Sequence, residues 1–187
     1  SNTTANGADD ASIITSAEKA LGRYTDINLQ MIPHPLKKDI VPLKDAAAVK
    51  NAVRNYGSQA IIGSVVAREH RYSWEAFLDN AKHRSGVNAI DWAKRLEDSG
   101  VGELIVTSID RDGRMKGFDC NLIKKITEST RIPIIASGGA GNVSHISSAI
   151  KETGCDAIAV SSLLHYEHAS VQTIKGHLSD RGVKIRK

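Results

Sequence analysis

A chain of 187 residues with 41% hydrophobic and 4% aromatic content has enough apolar material for one core, and an aliphatic one. No apolar run reaches the roughly 20 residues of a membrane-spanning helix, and the opening "SNTTANGADD" lacks the basic-then-apolar order of a secretory leader. The net charge of +4 and pI of about 9.1 favour small anionic ligands, but the cations are interspersed with acids, which argues against nucleic acid.

In chain order, "DASIIT" (10–15) predicts a strand. Residues 18–44 hold three of the four prolines among mixed charges and read as a long loop, an insertion in an otherwise regular chain. A helix follows at 45–57 and a β-rich apolar run at 58–67. The polar stretch 68–86, with interleaved aromatics, predicts a small hairpin with "SWEAFLD" as one arm. Residues 88–100 predict a helix with Asn88 as N-cap, Gly100 as its stop, and Ile90, Ala93 and Leu96 facing inward. Then come a strand at 102–110 and a helix at 119–130, capped by Asp119, with Leu122, Ile123 and Ile126 inward. A strand at 131–137, a helix at 142–154 ending at Gly154, a strand at 156–162 and a helix at 170–182 complete the chain. Continuous apolar strands alternating with helices are the pattern of parallel βα units. The expectation is an α/β fold of about five parallel strands with covering helices, in one domain over residues 1–187.

In such folds ligands sit at the carboxyl ends of the strands. There this chain gathers Thr107, Asp110, Asp112 and Gly113, then Ser137, Gly138, Gly139 and Gly141, then Ser161 and Ser162. Glycines let backbone N–H groups approach a ligand, and the start of a following helix adds more free N–H groups, a combination suited to phosphate. Tight strand-to-helix packing would also explain the glycines. Strand alternation sends Asp110 and Asp112 to the same side, where one could move a proton or hold a hydroxyl, unless they serve a capped turn. His165 and His168 lack an evident third ligand, so neither a metal nor another cofactor is expected. Cys120 and Cys155 have no CxxC spacing and read as free thiols of a reducing, cytoplasmic compartment. Trp74 and Trp92 read as packing residues. The segments 7–17 and 154–164 echo one another: Gly, Asp two later, an apolar run, then small hydroxyl residues.

The stretches "GELIVTSIDRDGRMKGFD" (102–119), "IPIIASGGAG" (132–141) and "VSSLLHY" (160–166) resemble the cyclase subunit of imidazole glycerol phosphate synthase. The resemblance implies a partial TIM-type (βα) barrel. It begins near the family's fourth strand, so the first three βα units have no counterpart in these residues. That leaves three readings open: a piece of a longer barrel, pairing with another chain, or a different closure. Open sheet edges would also give a route to self-association. The implied reaction uses ammonia from a partner glutaminase and a phosphorylated ribonucleotide-type substrate with two phosphates. One phosphate would rest on Gly138, Gly139, Ser161 and Ser162, with Asp112 and Gly113 beside it. Ser137 belongs to the same site, and Thr107 would line the reaction centre. Thr15 matches the second phosphate site, where Ile14 replaces an asparagine. Of the family's two catalytic aspartates, one lies on the absent first strand. Val66 stands in place of the other, and no catalytic residue is assigned. Glu103 matches a residue of the family's ammonia gate, whereas Asp10 stands where a lysine is usual. Two alternatives are a non-catalytic phosphate-binding scaffold partnering a glutaminase, and a paralogue that amidates surface sugars.

Overall fold

The computed structural model describes residues 46–78 and 81–185, which fall within one compact unit, Ile32–Ile185. The expected strand at 10–15, the loop at 18–44, Asp10, Ile14, Thr15 and the first half of the echo lie outside them. The chain runs α1 (Ala46–Tyr56), a single 3-10 turn (Ser58–Ala60), β1 (Ile62–His70), β2 (Ser73–Leu78), β3 (His83–Asn88) and α2 (Ala89–Asp98). It continues through β4 (Glu103–Ser108), α3 (Cys120–Ser129), β5 (Ile134–Ser137), α4 (Val143–Thr153), β6 (Ala157–Ala159), α5 (Ser162–His165) and α6 (Val171–Asp180).

The strands form one mixed sheet in the order β3-β2-β1-β4-β5-β6. Strands β1, β4, β5 and β6 are mutually parallel, and β2–β3 is an antiparallel hairpin on the outer edge of β1. Parallel strands with helices packed on one face are the architecture of a partial (βα) barrel.

Register sorts the parallel strands into two faces. Gly63, Leu104 and Ile134 align across the sheet, as do Val65, Val106, Ala136 and Ile158. Side chains of this set face the helices, and Val65, Leu104, Val106, Ile134 and Ala136 are fully buried. The helices bring Ala93 and Leu96 from α2, Leu122, Ile123 and Ile126 from α3, Ile146 and Ala149 from α4, and Ile174 and Leu178 from α6. The alternate set includes Val66, Thr107, Ser137 and Ala159 in one row, and Ser64, Ile105, Ile135 and Ala157 in the next. None of these reaches full burial. The strands are therefore amphipathic here, dry towards the helices and partly solvated on the other side.

Local chemistry sets the helix starts. Asn88 accepts from the N–H groups of Ile90 and Asp91, Asn142 from that of His145, and Ser170 from that of Thr173. Gly154 ends α4 in the left-handed conformation, with φ of 69°. Ile90, expected inward, is half-buried, and Ala89 takes the fully buried place.

Two elements differ from expectation. The strand β1 runs on to His70 because its last four residues pair with β2, from Ala67↔Ala76 to His70↔Ser73. The run 156–162 is only a three-residue strand. Asp156 exchanges bonds with Ile134 at its start, and at its end the Ser161 carbonyl accepts the N–H groups of Leu164 and His165, turning the chain into α5.

One carboxylate joins three elements. The Oδ1 of Asp119 accepts the N–H of Leu122 at 3.0 Å, capping α3. Its Oδ2 accepts the indole N–H of Trp74 on β2 at 2.9 Å and the hydroxyl of buried Ser108, the last residue of β4, at 3.3 Å. Trp74 is thus more than packing: one edge is a directed bond, and Lys125 lies 5.3 Å from its ring centre.

Both cysteines are free. Burial pushes the Cys120 thiol up from 9.0 to about 11, with the Glu152 and Asp119 carboxylates adding to it. Burial raises Cys155 as well. Neither is an activated nucleophile.

Asp119→Ala removes a cap and strands two donors, so it should destabilise the fold by about 2–3 kcal/mol. In a double-mutant cycle with Trp74→Phe, read by denaturant unfolding, coupling near zero would refute the joint. For Cys120, the folded chain holds the thiol proton more tightly than the unfolded chain. Its stabilising contribution is present below the ordinary value of 9.0 and lost as pH rises through about 11. Iodoacetamide at pH 7.5 should therefore label the native chain far more slowly than the denatured chain, and Cys120→Ala should flatten the fall in stability between pH 9 and 11.

Candidate functional site

At the carboxyl ends of β4, β5 and β6 three loops enclose a cleft of about 100 Å³. The first loop contributes Asp112, Gly113 and Met115, the second Ser137 to Ala140, and the third Ala159 to Ser162. Among the described lining residues Asp112 is the one ionisable side chain. With no lysine or arginine among the described lining residues, an anion held by these residues would depend on backbone N–H groups and serine hydroxyls.

The glycines let the first two loops touch through their backbones. The N–H of Gly117 donates to the carbonyl of Gly139 at 2.8 Å. Gly139 has φ of +107°, and a Cβ there would strike the Gly117 carbonyl. A Cβ on Gly141 would likewise strike the Met115 carbonyl. Two carbons of Asp112 stand within 3.3 Å of where a Gly138 Cβ would be. The glycine run is thus a tight packing device, and the packing shapes a concave wall.

Of the residues expected in a site, Asp112, Gly113, Ser137, Gly138, Gly139, Ser161 and Ser162 come together in the cleft. Gly141 stands behind it, against Met115. Thr107 is the register partner of Ser137 and of Val66, half-buried on the less covered face of the sheet, and does not line the cleft. Glu103 lies at the opposite end of β4, paired in register with Ile62. Met115, Ala140, Ala159 and Val160 complete the lining. Their apolar character carried no signal in the sequence.

Asp110 and Asp112 do not act as a pair on one strand face. Strand β4 ends at Ser108, and both aspartates lie in the turn that follows, where the Ser108 carbonyl accepts the N–H groups of Arg111 and Asp112. Asp110 instead accepts the N–H of Glu69 at 2.8 Å and lies 3.9 Å from Arg68 Nε, holding the hairpin to the turn.

His165 and His168 flank exposed Tyr166 in a small aromatic cluster. Among the described residues no group of three His, Cys, Asp or Glu side chains could hold a metal ion, and no helix is long and apolar enough to cross a membrane. A second concavity, of about 300 Å³, lies in the hairpin and is lined by the ion pair of Glu75 and Arg84. Arg84 donates to Glu75 Oε2 at 2.9 and 2.6 Å and the Gly86 N–H to Oε1, which together hold the Glu75 carboxyl below its ordinary value.

Comparison with known proteins places these features. The family model described as "Histidine biosynthesis protein" matches residues 40–170. The imidazole glycerol phosphate synthase subunit HisF of Metallosphaera sedula is 36% identical over 146 residues, 78% of this chain and 58% of that protein. The HisF subunit of Pyrobaculum aerophilum is 38% identical over 148 residues, 76% of this chain and 58% of that one. The HisF subunit of Leptospira biflexa is 39% identical over 140 residues, 74% of this chain and 55% of that one. The chain thus spans less than two thirds of the length of the curated relatives it matches. With a family model matching residues 40–170 and loops of this geometry at the ends of its parallel strands, the chain belongs to the histidine biosynthesis protein family and is HisF-like.

Proposed function

We propose that the cleft binds a phosphate ester, and that the chain contributes this grip to the ammonia-using cyclase chemistry of HisF-type proteins. The observation that carries the reading is the convergence of Gly138–Gly139 with Ser161–Ser162 on one cleft that, among the described residues, no basic side chain lines. Backbone N–H groups and hydroxyls recognise phosphate without a cation when glycine lets the ligand approach. Asp112 on the rim accepts hydrogen bonds only, when ionised, so it suits a hydroxyl of the ester rather than the phosphate itself. Thr15, by the resemblance, would serve a second phosphate. The substrate class is a phosphorylated ribonucleotide, and the partner a glutaminase that supplies ammonia.

The row Val66–Thr107–Ser137 favours a second reading, a phosphate-binding scaffold without catalysis of its own. Val66 occupies the position at which the family carries a catalytic aspartate, immediately beside Thr107. A valine cannot transfer a proton in any environment.

Sulfate or phosphate titrated into the 15N-labelled chain should shift the amide signals of Gly138, Gly139 and Ser162. Gly139→Val should abolish the response by blocking the backbone approach, and Ser162→Asp should weaken it about tenfold or more by placing a like charge at the mouth. Unshifted signals in the unmodified chain would remove the phosphate reading. Assayed with the ribonucleotide and ammonium salts, the 187-residue chain should show no cyclase turnover. Val66→Asp should not restore it, because the second carboxylate of the family's pair has no counterpart here. Turnover by either would overturn the scaffold reading and leave the cyclase.

A further inference from the structure

His145, in the first turn of α4, is not part of the cleft lining, yet it hydrogen-bonds one of the two loops that make the wall and stands beside the other. Its Nδ1 is 3.1 Å from the backbone nitrogen of Gly141, which donates to it. The side of its ring faces Gly117: a Cβ on that glycine would lie 3.7 Å from the imidazole Cδ2. Gly117 in turn donates its N–H to the Gly139 carbonyl. The ring therefore stands between the Gly141 N–H that it accepts and Gly117, whose own N–H is bonded to Gly139.

The other ring nitrogen, Nε2, lies 3.2 Å from the side-chain nitrogen of Asn142. A neutral imidazole can accept at one nitrogen only. The competing donors are unequal. The Gly141 N–H is backbone, at a residue left no room for a side chain by the Met115 carbonyl. The Asn142 amide is held through its oxygen, which caps α4 by accepting the N–H of His145 at 2.9 Å. With Nδ1 accepting from the backbone donor, the proton sits on Nε2, and the Asn142 amide nitrogen 3.2 Å away makes no hydrogen bond to it.

We infer that His145 is a positioning residue of the cleft: as the Nε2–H tautomer it accepts the Gly141 N–H and fills the space beside Gly117, holding the 138–141 loop in the shape that receives an anion. It does not touch the ligand. It acts through two glycines whose backbones cannot otherwise be fixed by side chains, because neither position tolerates one. The consequence for ligand affinity rests on the phosphate-ester reading, whereas the contact with Gly141 does not.

The residue choice makes the inference specific. The Oδ1 of an asparagine stands close to where Nδ1 of a histidine stands, so His145→Asn keeps the acceptor. His145→Gln moves the acceptor outward, and His145→Leu keeps bulk against Gly117 without any acceptor. In 15N-labelled chain, imidazole nitrogen shifts should report the Nε2–H tautomer. Amide hydrogen exchange at Gly141 should quicken about 3- to 10-fold in the Leu, Gln and Ala variants and stay near the unmodified rate in the Asn variant. Exchange in α3 serves as a control for global stability. Sulfate affinity should fall severalfold in Leu, Gln and Ala and recover in Asn. The Nδ1–H tautomer, or Gly141 exchange equal in all four variants, would overturn the inference whatever sulfate does. A tautomer and exchange pattern as expected, with no sulfate response in the unmodified chain, would instead overturn the phosphate reading and leave the His145 contact standing. Equal sulfate affinity in every variant, with the exchange pattern as expected, would overturn the positioning role.

Discussion

The structure depends on the carboxylate of Asp119. The loop 109–118, which supplies Asp112, Gly113, Met115 and Gly117, leaves the sheet at Ser108 and enters α3 at Asp119. The hydroxyl of Ser108 donates to Asp119 Oδ2, so the two ends of the loop are tied to each other. The same oxygen takes the indole N–H of Trp74, which brings the hairpin against this junction. The other oxygen caps α3. A carboxylate with three donors in a partly buried place is satisfied on both oxygens, which favours one arrangement of the three elements over its competitors. A ten-residue loop pinned at its root has few ways to lie, and the bond from Gly117 to Gly139 then fixes its returning end against the next loop.

Upstream of that junction, packing is one-sided. Aliphatic side chains from α2, α3, α4 and α6 cover the strands through Leu104, Val106, Ile134 and Ala136. The opposite row, Val66–Thr107–Ser137–Ala159, is less covered and runs towards the cleft. In a (βα) barrel this is the row that faces the axis, and the family relationship gives it meaning. Val66 and Thr107 lie side by side in this row, and the serine of β5 lines the cleft. On the proposed reading, grip and chemistry are separable in this architecture, because the grip would come from loop backbones and any chemistry from strand side chains.

Much of this was legible in residue order. The helix caps Asn88 and Asp119 and the stop at Gly154 are local devices that depend on neighbours within four residues. The inward trio Leu122, Ile123 and Ile126 follows from helical period. The gathering of Asp112, Gly138–Gly139 and Ser161–Ser162 followed from a rule about parallel strands, that their carboxyl ends share one edge. The separation of Asp110 from Asp112 was not legible. Alternation holds only while a strand lasts, and β4 ends at Ser108 because the Ser108 carbonyl closes a turn. The shortness of β6 was hidden for the same reason: "DAIAVSS" is as good a strand as a strand-and-turn until Ser161 meets Leu164 and His165. His145 had no signal at all, since a histidine in the first turn of a polar-faced helix looks like any solvated residue.

By itself the sequence determined the type and order of the described elements, their caps, the apolar faces, the glycine run and membership in a family of βα barrels. Those depend on intrinsic conformational preferences and on spacing along the chain. Only the tertiary structure decided that Asp119 binds Trp74 across 45 residues, that Asp110 serves the hairpin while Asp112 serves the cleft, and that His145 stands behind the glycines. These depend on directed hydrogen bonds between segments far apart in sequence. Such bonds are set by where packing places the donors and acceptors, and periodicity carries no record of them.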